Sequence, residues 1–109
     1  MAKIPINKSS DNVFADLGVS NADDELAKAQ LASAIRQIIQ TRRLTQSRAA
    51  VLMRLDQPKV SALMNGRLGG FSGERLMRCL TALGEDIEII VRAKPRGRKR
   101  GQIRVVEAA

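Results

Sequence analysis

Histidine, tyrosine and tryptophan are absent from this 109-residue chain, and cysteine occurs once. Without imidazole and with a single thiol, the chain cannot assemble a zinc site from the usual donors or a His-based catalytic site, and Cys79 has no partner for an internal disulfide. Cys79 therefore reads as a small core hydrophobe, and the chain as a non-enzyme with no cofactor and no metal. The only aromatics are Phe14 and Phe71. The base-stacking platforms of single-strand and many RNA-binding modules are thus missing, which favours a duplex as partner. Long apolar runs are missing as well. Nothing near the N-terminus resembles a signal peptide or a membrane span, so the expected setting is cytoplasmic, with no membrane partner.

What is abundant is positive charge. Nineteen Lys and Arg stand against eleven Asp and Glu, a net of +8 that suits a polyanionic partner. It is unevenly spread. Asp11, Asp16, Asp23, Asp24 and Glu25 outnumber Lys3 and Lys8 in residues 1–25, whereas residues 28–78 carry ten cations against Asp56 and Glu74 alone. A hydrophobic content of 44% is enough for one modest core.

The centre of the chain, Leu44 to Gly66, reads as two short helices joined by a tight turn. Thr45 is placed to cap the first, with Gln46, Ser47 and Arg48 in its opening turn, and the small Ala49 and Ala50 suit a steep crossing of helices. Met53, Arg54 and Leu55 make the turn. Asp56 is a strong N-cap for the second helix, and Pro58 fits its first turn because the N–H it lacks has no partner there. Val60 and Leu63 face inward, leaving Gln57, Pro58, Lys59, Ser61 and Ala62 outside, and Gly66 ends the helix.

At these residues the chain resembles the Cro/CI-like (xenobiotic response element, XRE) family of helix-turn-helix DNA-binding domains. Leu44-Thr45-Gln46, Ala50, Leu55, Val60, Ser61 and Asn65-Gly66 stand at the family's spacing without a gap, and Ile35-Arg36 and Arg42 fit its first helix. The chain departs from the pattern at Arg54, where the family usually has glycine, and at Ala49, where it usually has leucine. A non-glycine residue at the turn is strained by about 1–2 kcal/mol if the backbone there is left-handed; otherwise the turn differs. The resemblance implies that Gln57, Pro58 and Ala62 face base edges. It puts Gln46, Lys59, Ser61 and Arg67 on phosphates, and Ser47 and Asn65 complete the DNA-facing set. A plain helical hairpin without ligand is the alternative.

Around this unit, Ser20 with Asp23 reads as a capping box opening a long helix to about Thr41, with Leu31, Ile35, Ile38 and Ile39 as its core stripe. Arg42 and Arg43 follow, placed to meet phosphates. Arg67 to Gly70 is a loop. Ser72 caps a further helix whose Leu76, Cys79, Leu80 and Leu83 share a face, and Gly84 terminates it. Upstream, Val13, Phe14 and Leu17 fall on one side of a single helical turn before Gly18; they either pack back on the domain or bind a partner.

Past Glu85 the period changes to two. Ile87, Ile89 and Val91 alternate with Glu88, Ile90 and Arg92, and β-branched content predicts a strand over 86–92. A lone strand leaves its backbone groups unpaired, so a second copy is the simplest supply and the chain is expected to form a homodimer through Ile87, Ile89 and Val91. The tail from Lys94 to Arg104 adds a run of cations interrupted by Pro95, Gly97 and Gly101, which is either simply solvated or in contact with nucleic acid.

From Asn12-Val13-Phe14-Ala15-Asp16-Leu17-Gly18, through Phe71-Ser72 and Arg75-Leu76, to Leu83-Gly84-Glu85-Asp86-Ile87-Glu88-Ile89, the chain looks like the HigA-like antitoxins, a Cro/CI-type group with a strand after the helices. That resemblance implies a repressor of its own promoter that binds a palindromic operator in double-stranded DNA as a dimer and neutralises a small toxin nuclease. The alternatives are a phage-type or metabolic repressor without a toxin, and a basic architectural or RNA-binding protein. The expected fold is mainly α: a Cro/CI-like domain of four to five helices with one C-terminal β-strand. Residues 1–19 form a flexible or partner-binding segment, 20–92 the DNA-binding and dimerisation domain, and 93–109 a basic flexible tail.

Overall fold

A computed structural model describes residues 21–108. Four helices follow one another: α1 (Asn21–Thr41), α2 (Gln46–Met53), α3 (Gln57–Met64) and α4 (Gly73–Ala82). The expected turn at Val13, Phe14 and Leu17, and the cap at Ser20, lie outside the described residues.

α1 presents Leu31, Ile35 and Ile39 to the interior, with Ile38 at the margin. Asp23 and Asp24 sit in its first turn, where the helix dipole favours anions. α1 packs on α3 and α4, and α2 packs on the same two helices. Between them Ile35, Val60, Leu63 and Leu76 are at 0% exposure, and Phe71 closes the core from the loop before α4. Ala49, where the related pattern has leucine, is also fully buried. Cys79 lies in the same core, where burial pushes its thiol up from the ordinary range against the opposing pull of the Arg75 charge.

The helix starts follow the sequence. Thr45 Oγ1 accepts from the Arg48 N–H at 3.0 Å, Asp56 Oδ1 from the Lys59 N–H at 2.9 Å, and Ser72 Oγ from the Arg75 N–H at 3.0 Å. All four helices end in one device, a pair of reversed hydrogen bonds closed by a residue at positive φ. The pairs are Leu44 to Ile39 with Arg43 to Gln40, Leu55 to Ala50 with Arg54 to Val51, Arg67 to Ala62 with Gly66 to Leu63, and Glu85 to Leu80 with Gly84 to Thr81, N–H to carbonyl in each case. Gly66 and Gly84 take positive φ without strain. Arg43 and Arg54 take it at φ 57° and 58°, so the left-handed alternative at Arg54 is the one adopted, at a strain of about 1–2 kcal/mol in each arginine.

The expected strand over 86–92 is not formed: no described residue is in a strand. An isolated extended segment has no neighbour for its N–H and C=O groups, and no other described segment lies beside this one in a ladder. Beyond it the chain returns to α1. The Val105 N–H donates to Gln30 Oε1 at 3.0 Å, the Val105 side chain packs against the core, and Glu107 lies beside Gln37, Ile38 and Thr41. None of the described helices is long and apolar enough to cross a membrane.

Candidate nucleic-acid interface

α2 and α3 pack on each other, and Ala49 and Ala50 of the first and Val60 and Leu63 of the second are all buried. Because the underside of α3 is wholly inside, its other face is fixed toward solvent. Gln57 and Pro58 are exposed there, and Lys59, Ser61 and Ala62 are half-buried. Gln46 and Ser47 are exposed in the first turn of α2, and Asn65 and Arg67 are exposed just past the end of α3. The sequence-predicted set thus falls at the start of α2, on the outer side of α3 and in the loop that follows.

Several of these side chains are already held. Gln57 Nε2 donates to Ser47 Oγ at 2.9 Å, which ties the first residue of α3 to the first turn of α2 and limits the rotation of the Gln57 amide. Asn65 Nδ2 donates to the Ser61 carbonyl at 2.8 Å and reaches Ser61 Oγ at 3.4 Å. Lys59 is drawn back across the loop: its Nζ donates to the Gly70 carbonyl at 3.0 Å and lies 5.1 Å from the centre of the Phe71 ring. In the free protein Lys59 is therefore a strut between α3 and the loop. Pro58, Lys59, Ala62 and Arg67 line a shallow depression there, with Gly70 and Phe71 on its far side.

Arg43, Arg48, Arg54 and Arg67, all within or just beside the helix-turn-helix unit in sequence, are exposed. From Arg42 to Gly73 the only acidic residue is Asp56, and one of its carboxylate oxygens is committed to the cap of α3. The charge balance of this stretch is therefore strongly positive, which favours a phosphate backbone as partner.

Sequence reasoning missed two arginines that position the interface from behind. Arg36 Nη1 on α1 donates to the Leu63 carbonyl at 3.2 Å, an oxygen that also accepts from the Gly66 N–H, and so ties α1 to the end of α3. Arg42, expected on phosphates, instead donates from Nη1 to the Leu83 carbonyl at 2.7 Å and pairs with Glu85 at 3.4 Å, clamping the end of α4. No local pattern announces either contact, because the acceptors lie 27 and 41 residues away. Of the residues expected to dimerise, Ile87 is at the margin of exposure at 36%, while Ile89 at 77% and Val91 at 91% are open. Val13, Phe14 and Leu17 lie outside the described residues.

Residues 13–92 match a family described as "Helix-turn-helix domain". The chain is also similar to a solved structure described as "Putative XRE Family Transcriptional Regulator", with 47% identity and a TM-score of 0.78, over 82% of this chain and 100% of that one. No functionally curated protein matches it. The chain therefore belongs to the helix-turn-helix domain family, in its XRE type. Members of that class are DNA-binding modules, not enzymes.

Proposed function

We propose that this protein is a sequence-specific DNA-binding transcriptional repressor that reads a palindromic operator as a dimer, and that it is the antitoxin of a toxin–antitoxin pair. The observation that carries the DNA-reading part is α3 itself. Its start is capped by Asp56 and its underside buried through Val60 and Leu63, while Gln57, Pro58 and Ala62 are left on its outer side in a stretch whose arginines are exposed. Gln57, Pro58 and Ala62 meet base edges. Gln46, Ser47, Ser61, Asn65 and Arg67 hold the duplex by its backbone, joined by Lys59 once its ammonium leaves the Gly70 carbonyl.

The dimer is supported by the exposed Ile89 and Val91, which a second copy of the same segment would cover while pairing its open backbone groups. The antitoxin role is supported by the resemblance of residues 12–95 to HigA-like antitoxins, with Val13, Phe14 and Leu17 as the toxin-facing residues. Removing residues 1–18 should then abolish capture of the small protein encoded by the neighbouring gene and leave DNA affinity close to intact.

Gel shifts on the segment upstream of its own gene, against random duplex, test the DNA assignment. Gln57→Ala should narrow the gap between the two by about 1–3 kcal/mol if its amide pairs bidentately with adenine. Lys59→Ala should weaken binding to both and flatten the salt dependence by about one unit. Unchanged discrimination in Gln57→Ala would mean that α3 does not read bases.

A further inference from the structure

The segment that follows α4 is a closed loop rather than a free end. It leaves the core at Glu85, which pairs with Arg42 at 3.4 Å, and comes back at Val105, whose N–H is bound by Gln30 at 3.0 Å. Within it Arg92, Lys94, Arg96, Arg98, Lys99, Arg100 and Arg104 carry charge with no acidic residue among them. Five of the seven are arginine. From Arg92 to Arg100 every second residue is a cation, so once the turn at residues 95–98 opens, an extended backbone would set them on one side, about 6.6 Å apart, or two base-pair steps of duplex.

We propose that the Pro95-Arg96-Gly97-Arg98 stretch is a second DNA-binding element, which enters the minor groove of A·T-rich duplex beside the site read by α3. The proposal rests on the DNA-binding reading and adds to it a ligand for the tail. Gly97 is the one residue between two arginines, and no atom lies within 4 Å of where its Cβ would stand, so the backbone there can lie on a groove floor. Arg98 is half-buried in the free protein and its Nη1 is buried without an acceptor. The turn that holds it has a single long hydrogen bond, Arg98 N–H to the Pro95 carbonyl at 3.3 Å. Opening that turn frees the guanidinium for acceptors it now lacks.

Three features choose this groove over phosphates alone. The minor groove of A·T tracts is narrow and strongly negative, which draws arginine into it. Guanidinium is more weakly hydrated than ammonium, so the bias to arginine over lysine suits a confined groove and is unnecessary for surface ion pairing. No aromatic side chain lies in the segment from Glu85 to Val105 for stacking on single strands. The reach is sufficient. Arg96 is nine residues from the anchor at Val105, a span of about 30 Å when extended, comparable to one helical turn of DNA at about 34 Å.

The test uses the full chain on three duplexes that share the segment upstream of its own gene and differ only in one flanking block, made of A·T, G·C or inosine·C pairs. Inosine·C lacks the guanine amino group, so its minor groove is open like that of A·T while its major groove remains that of G·C. The wild type should bind the A·T and inosine·C duplexes roughly tenfold tighter than the G·C duplex, an effect the size of one base-pair discrimination. R96A/R98A should erase that preference, and so should R96K/R98K, which keeps the charge. Circular dichroism should show both variants folded, since the helical core is untouched. A preference that survives in R96K/R98K, or equal binding of the wild type to all three duplexes, would overturn the minor-groove assignment while leaving the α3 reading intact. Failure of the wild type to bind any of the three would overturn both.

Discussion

The unit from Leu44 to Gly66 and the segment from Asp86 to Arg92 are of similar apolar character, yet one is closed on itself and the other is open. In the first, each helix start meets a side-chain cap, each helix end meets a reversed pair of backbone bonds, and Val60 and Leu63 lose all contact with solvent. In the second, Ile89, Ile90 and Val91 stay exposed and the backbone pairs with nothing in a ladder. Helical hydrogen bonds are satisfied within one segment, whereas a strand needs a neighbour. The same chain can therefore finish its helix-turn-helix unit alone, while its second apolar segment stays open, as the proposed pairing of two copies requires.

The strongest way to break that contrast is at the open segment. Ile89→Asp sets like charges against each other across a two-fold centred on residue 89, with Ile87 opposite Val91. Sedimentation should show a monomer, and operator affinity should fall about a thousandfold toward the non-specific level that basic charge alone sustains. Persistence of the dimer would move the interface to another face, α4 being the first candidate. In the closed unit, Leu63→Ala should cost about 3 kcal/mol in urea unfolding, because the side chain is wholly enclosed and its cavity cannot collapse onto solvent. A loss under about 1 kcal/mol would show the core to be looser than its burial implies.

Smaller effects separate the helix ends from one another. Arg54→Gly should raise stability by up to about 1 kcal/mol by removing the left-handed strain, whereas Gly84→Ala should lower it by about as much. Equal and opposite melting shifts are the expected pattern; a destabilising Arg54→Gly would mean that the Arg54 side chain makes a compensating contact. Asp56→Ala removes the cap of α3 and should cost about 1 kcal/mol, read by the same unfolding transition.

What was legible in the sequence was local. Thr45, Asp56 and Ser72 sit three residues before the N–H each one caps, Pro58 and Gly66 carry their own backbone preferences, and the buried stripe of α1 repeats at helical spacing. Even Arg54 was legible as a choice between strain and a different turn, and the backbone chose strain. Contacts between distant segments were not legible. The contacts that hold Lys59 against the Gly70 carbonyl and the Phe71 ring, and Arg42 against the end of α4, carry no sequence signal. The return of Val105 to Gln30, 75 residues away, has no signature in the pattern at all, since one valine and one glutamine announce nothing. The strand at 86–92 was drawn from its alternation, which describes what a partner would find and not what one chain can build.

Hydroxyl-radical footprinting of the duplex upstream of its own gene tests the central claim most directly, because it reads the placement of α3 and the pairing of two copies together. Two protected patches related by a two-fold axis, with centres about 34–36 Å apart, are expected, and they should merge into background when Ile89→Asp replaces the wild type. A single protected patch, or even protection along the whole duplex, would contradict it.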